Sequence, residues 1–247
     1  MKIAVISDIH GNMDALEAVL EDIKLTECDK IYALGDYAMA GPEPIRTVEW
    51  FRQNKDKHNI TMIQGNTDLM IADYSPDVYS QLKNAAPVMA EAMKNDYAGL
   101  TVEQLEFLKN LPVQLELEED GIKILLVHGS PRRNNEDILP DTPLDAVEEM
   151  VKFTDANIIL CGHTHIPCGF QTTKKQTVVN AGSVGRPFTA RPDSCYLTIT
   201  IENGKYVFEH RFVQYDNKAA SIKLGKRHFD GSEKLAQTLL NPKERHF

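Results

Sequence analysis

Long hydrophobic runs are missing from this chain. No apolar stretch approaches the ~18–20 residues that span a bilayer, so no transmembrane helix and no membrane partner are expected. Cysteine is scarce, with four in 247 residues (Cys28, Cys161, Cys168 and Cys195) and no C-x-x-C pair among them. That excludes a disulfide-built scaffold and points to free thiols in a reducing compartment. A zinc knuckle at Cys161 and Cys168 fails on the same spacing, because no second thiol pair follows. Positive charge is in deficit, 27 Lys and Arg against 36 Asp and Glu, for a net charge of −9. Such a surface repels polyanions, so nucleic acid is not an expected partner unless a metal or a local cation patch reverses the field. Repeats, low-complexity tracts and linkers are also lacking, and one domain over residues 1–247 is expected. Asp8 cuts short the apolar start, against a secretory leader and for a cytoplasmic protein.

What the chain does have is an ordinary globular mix, 42% hydrophobic and 26% charged. Lys2–Ser7 reads as a buried strand, followed by a tight turn and an amphipathic helix over 14–25 that Asn12 is placed to cap. Strand, turn and helix recur at Lys30–Leu34 with about Glu43–Gln53, and Ile60–Gln64 is a third strand. One long polar, helical stretch is predicted from Leu69 to Asn110. Val113–Leu117 and Ile122–Val127 read as strands, then a helix near Pro143–Lys152 and a strand at Asn157–Leu160. The remainder to about Val213 is strand-rich, and short helices over Ala219–Leu240 form a C-terminal tail (215–247) packed on the domain.

Polar residues recur at one structural position. Asp8 and His10, Asp36, Asn66, His128, and His163 with His165 each follow a predicted buried strand. Ligands of α/β sheets gather beyond the carboxyl ends of strands, so these five loops are expected to converge on one rim. Two Asp, four His and one Asn make an oxygen and nitrogen donor set without thiolate, suited to Mn, Fe, Zn or Ni. Seven ligands exceed the four of a usual zinc site and suit two ions if one carboxylate bridges, with Asp36 the natural bridge. Taken singly, Asp8 is equally a helix cap, Asp36 a turn carboxylate and His128 a satisfied core histidine.

The ordered motifs Asp8-Ile9-His10-Gly11-Asn12, Gly35-Asp36, Gly65-Asn66, Val127-His128-Gly129 and Gly162-His163-Thr164-His165 resemble the calcineurin-like metallophosphoesterases. Residues 35–44 and the glycine-rich turn 180–185 are similar to the small bacterial phosphodiesterase-like branch. The resemblance covers residues 1 to about 213 and implies a four-layer α/β/β/α sandwich. It implies that Asp8, His10 and His165 hold one divalent ion, that Asn66, His128 and His163 hold a second, and that Asp36 is shared. Manganese is the favoured metal. A hydroxide bridging the ions would attack phosphorus in line, so a phosphodiester or phosphomonoester of a small molecule is the implied substrate.

One position departs from the pattern: Thr67 stands where strongly active members carry His. Thr is no general acid near neutral pH, which points to substrates with good leaving groups. Asp36, Asn66, Thr67 and Asp68 are the catalytic candidates, although Asp68 is equally a helix cap. Arg132, Arg133 and Arg186 follow ligand loops and are candidates to meet phosphate, as is Asn12. The segment Leu69–Leu100, with Tyr74, Tyr79, Met89, Met93 and Tyr97, either covers the site or packs on the sheet. That segment and the C-terminal strands are also where a homo-oligomer would form. The alternative to an enzyme is a metal-binding interaction scaffold of the same fold.

Overall fold

Alternation along single strands sets up the layers. In the computed structural model, which describes residues 1–242, β1 (Lys2–Ile6) turns Ile3 and Val5 to one core and Ala4 and Ile6 to another. All four are fully buried, so β1 is covered on both faces. The parallel strands β2 (Lys30–Ala33) and β3 (Ile60–Met62) flank it on one side. Antiparallel β9 (Ser194–Glu202) and β10 (Lys205–Val213) flank it on the other, in the order β10-β9-β1-β2-β3.

A second five-stranded sheet contains β4 (Gln114–Glu119), β5 (Ile122–Val127), β6 (Ile158–Cys161), β7 (Cys168–Gln171) and β8 (Thr177–Asn180). Its order is β4-β5-β6-β8-β7, with β5, β6 and β8 parallel. Ile3, Val5, Tyr32, Leu34, Ile124, Leu126, Ile158 and Leu197 fill the space between the sheets. Outside the first sheet lie α1 (Met13–Leu25) and α2 (Pro44–Asn54), burying Leu16, Val19, Val48 and Phe51. Outside the second, α7 (Leu144–Val151) sets Val147 and Val151 against Leu125, Val127 and Ile159. The result is an α/β/β/α sandwich in four layers.

The stretch after β3 is four helices rather than one: α3 (Asn66–Ala72), α4 (Pro76–Ala85), α5 (Pro87–Gly99) and α6 (Val102–Lys109). Pro76 and Pro87 stand at helix starts, where a missing N–H costs nothing, and Ser75 and Thr101 cap the helices they precede. The chain closes with α8 (Asn217–Gly225) and α9 (Ser232–Leu240), whose Ala220, Leu224, Leu235 and Leu239 join the core under α1. The expected tail extends to 247, and its residues 243–247 lie outside the described residues. Among the described residues no helix is long and apolar enough to cross a membrane. The four cysteines are free thiols, as composition predicts.

Candidate metal centre

The ligand loops bend in a way that side chains resist. Asp8, His10, Asp36, His163 and His165 all have positive φ, between 46° and 66°. That region is sparsely populated by residues other than glycine and persists only where the surroundings impose it. Here they do. The Asp8 N–H donates to Gly35 O at 3.1 Å, His10 N–H to Asp36 O at 2.8 Å and Gly11 N–H to Tyr37 O at 2.9 Å, zipping the loops after β1 and β2 together. At Gly65 a Cβ would fall 2.1 Å from Asp36 Oδ1, and at Gly162 one would fall 1.9 Å from Ser7 Oγ. Glycine is required at both for the loops to close.

Three histidines are oriented by backbone. His10 Nδ1 lies 2.9 Å from Met39 O, His128 Nδ1 2.7 Å from Leu34 O, and His165 Nδ1 2.5 Å from Arg186 O. A carbonyl only accepts, so each Nδ1 carries a proton and donates it, leaving Nε2 to face the site. The Nε2 atoms of His10 and His165 stand 3.1 Å apart. Asp8 Oδ1 lies 3.3 Å from His165 Nε2 and 3.9 Å from the Nε2 atoms of both His10 and His128. Asp36 Oδ2 sits between groups, 3.6 Å from His10 Nε2 and 3.4 Å from His128 Nε2. Asn66 Oδ1 is 3.0 Å from His128 Nε2.

Two overlapping sets, Asp8–His10–His165 and Asp8–Asp36–His128, therefore bring their donor atoms within 4.8 Å of one another. Asp8 Oδ1 is buried without a hydrogen-bond partner, and the other converging atoms are also lone-pair donors. A cation satisfies such a set and a neutral ligand does not, so the residues fit divalent metal. The electrostatics agree. Burial pushes Asp8 up, but His165 and His128 outweigh it and hold the carboxyl near 2. Asp36 is likewise held well below the usual range by His128 and His10 against its burial. Burial and His165 hold His10 down to about 4, so its ring is neutral. For His128 burial acts downward but Asp36 and Asp8 prevail and raise it to about 10, so without a cation its own Nε2 proton supplies the positive charge between the carboxylates, the place a metal would take.

The remaining sequence candidates divide. His163 is not drawn into either set: its Nε2 lies 3.3 Å from Asp137 Oδ1, while its backbone N–H donates to Asp8 Oδ2 at 3.0 Å. Asp68 is fully buried, and its carboxylate accepts the N–H groups of Asp36, Tyr37 and Gly65 at 2.8, 2.9 and 2.9 Å. Burial and the Asp36 charge raise its pKa to about 7 against those amides. The Asn12 side chain caps α1 by accepting from Ala15 N–H and donates to Gly185 O and the Tyr215 hydroxyl, so both of its N–H groups are already taken. Arg132 and Arg133 are both taken by Glu136.

Arg186 differs from these. Its Nε is buried without a hydrogen-bond partner among the described residues, Nη1 meets Met89 Sδ at 3.4 Å, and the guanidinium lies over the Phe188 ring, 5.4 Å from its centroid. Thr67 Oγ1 is also buried and unpartnered, while the Thr67 N–H donates to Asp36 Oδ1 at 2.9 Å. Met89 on α5 thus reaches the site, whereas Met93 belongs to the core and Tyr74 stacks on Tyr97 at 4.3 Å. The helical segment both touches the site and packs. Met89 lies in the segment the sequence offered as a cover, whereas Asp137 and the backbone carbonyls that orient the histidines carry no sequence signal.

A four-layer sandwich with such a rim of carboxylates and histidines has the donor set of a protein that could hold divalent metal. Residues 1–204 match the calcineurin-like phosphoesterase superfamily domain, and the chain belongs to that family of hydrolytic phosphoesterases. An uncharacterized protein of Methanocaldococcus jannaschii is 31% identical over 242 residues, spanning 91% of this chain and 92% of its own. A metallophosphoesterase of Sphaerobacter thermophilus superposes with a TM-score of 0.77 at 25% identity, over 98% of this chain and 100% of its own. A hypothetical protein of Pyrococcus horikoshii shares the fold, with a TM-score of 0.88 at 24% identity over 99% of each chain.

Proposed function

We propose that this single-domain chain is a dinuclear phosphoesterase of the cytoplasm, hydrolysing a phosphodiester or phosphomonoester of a small molecule. The observation that carries this is Asp36 Oδ2, lying between His10 and His128 at 3.6 and 3.4 Å and so placed to be shared by two ions. Asp8, His10 and His165 would hold the first ion. Asn66, His128 and His163 would hold the second. Manganese is the metal we favour among Mn, Fe, Zn and Ni, since the set is oxygen and imidazole without thiolate. Bound ions supply Lewis acidity toward phosphoryl oxygens and lower the pKa of water.

The chain's own residues do the rest. Arg186 supplies a half-buried guanidinium, its Nε unpartnered and no carboxylate within ion-pair distance among the described residues, and a phosphoryl oxygen is a fitting partner for it. Thr67 Oγ1 offers a hydrogen bond to a phosphoryl or leaving oxygen but no acidic proton, so low-pKa leaving groups are favoured. Asp68 acts as a positioning residue, fixing the Asp36 loop through two amides and the Asn66 loop through a third, and Asn12 ties the first turn to the 180–185 turn through Gly185 O. The reading is tested by stripping metal with a chelator and restoring manganese while following an activated aryl phosphodiester. Hydrolysis is expected to vanish and return; turnover that persists in the stripped protein would contradict it.

A further inference from the structure

The loop after β2 contains two consecutive buried residues, Met39 and Ala40, both at φ 65°. Two left-handed non-glycine residues in a row are sterically disfavoured and need outside restraint. The restraint comes from two distant segments. Asp96 on α5, fully buried, accepts the Ala40 N–H at 3.2 Å through Oδ2. Arg227, just after α8, donates to Gly41 O at 2.8 Å through Nη1, and through Nη2 to Asn95 Oδ1 at 2.6 Å and to the Asp96 carboxylate. One planar guanidinium therefore ties together the loop, α5 and the C-terminal helices.

What the loop delivers is a ligand orientation. Met39 O is the acceptor that keeps the His10 proton on Nδ1 and turns Nε2 into the first site. The loop also presses on the backbone of the same residue: a Cβ on Gly41 would lie 1.4 Å from His10 O. Arg227 stands beyond residues 1–204, the part of the chain that matches the family domain. We propose that Arg227, acting through Asp96 and the 39–41 loop, is a positioning residue for His10 and hence for the first of the two metal sites, an inference that rests on the dinuclear reading above. The C-terminal helices are then part of the metal scaffold.

The test is manganese binding by calorimetry to metal-stripped protein, comparing wild type with Arg227→Met, Arg227→Lys and Arg211→Met. The last breaks a different ion pair, Arg211 with Asp22, that bridges β10 and α1. Partners that orient a metal's ligands typically change its affinity by about 10- to 100-fold. Arg227→Met is therefore expected to weaken one of two manganese sites by about tenfold or more while sparing the other. Arg227→Lys keeps the charge beside Asp96 but not the fork, and is expected to fall between; should Arg227→Met fail to fold, this variant decides. Arg211→Met should leave both sites unchanged. Two sites of wild-type affinity in the Arg227 variants, or equal weakening of both sites, would overturn the inference. Wild type that takes up no manganese would overturn the dinuclear reading and the inference with it.

Discussion

At the scale of single residues, the centre depends on side chains left incomplete. Among the described residues Ser7 Oγ, Asp8 Oδ1, Thr67 Oγ1 and Arg186 Nε are buried and unpartnered, and all four lie at or beside the ligand loops. Buried polar groups are otherwise paired almost without exception, so a cluster of orphans marks a place built for something else. Thr67 gives the sharpest residue-level prediction. Thr67→His introduces a general acid, a contribution worth about 10²–10⁴ in favourable cases. Hydrolysis of an alkyl phosphate ester should therefore rise by about tenfold or more, while an activated aryl ester changes little. Equal responses of the two substrates would show that Thr67 does not set leaving-group preference. The converging donors Asp8, His10, Asp36, His128 and His165 are legible in the sequence because each is a polar residue in a loop that follows a buried strand. Their partners are not: nothing in the chain announces that Asp137 meets His163, or that Glu136 occupies Arg132 and Arg133. Asn12 shows the converse, since a cap and a ligand-binding amide look alike until Gly185 and Tyr215 are seen to fill its remaining valences.

At the scale of elements, loops carry the ligands and small ion clusters fix the loops. The turn after β5 is closed by Glu136, which accepts from Ser130, Arg132 and Arg133. Burial raises this carboxyl, but Arg132, Ser130 and Arg133 together bring it down to about 2. A depressed folded pKa means stabilisation that is complete above the unfolded value, near 4.3, and lost as pH falls toward about 2. The gap in melting temperature between wild type and Glu136→Gln should accordingly be widest at neutral pH and narrow over that acid range. A gap independent of pH would show that the cluster contributes no ionic stabilisation. The first strands and helices follow directly from hydrophobic period, because β1 and β2 are short apolar runs buried on both faces and α1 buries one helical stripe, Leu16, Val19 and Ile23. The region after β3 is harder, since apolar spacing runs on across Pro76 and Pro87. The prolines and the caps Ser75 and Thr101 were the available signals for its division into four.

At the scale of the whole molecule, the rim exists because two sheets are held face to face. The order β4-β5-β6-β8-β7 inserts β8 between β6 and β7, a choice made by long-range packing that no local pattern encodes. Ile124 is fully buried in the layer between the sheets. Ile124→Ala leaves a cavity there and should lower stability by about 2–5 kcal/mol in urea unfolding, without changing manganese affinity of the folded protein. A loss below about 1 kcal/mol would mean that the sheets close over the gap.

In the proposed reading Asp36 joins two metal sites in one hydrolytic centre. Its most direct test is turnover of an activated aryl phosphodiester with added manganese, wild type beside Asp36→Asn. The account predicts clear turnover in the wild type and a loss of about a hundredfold or more in the variant, as removal of a shared ligand disables both ions at once. Equal turnover in the two proteins would contradict it, and manganese-loaded wild type with no turnover would favour the interaction scaffold.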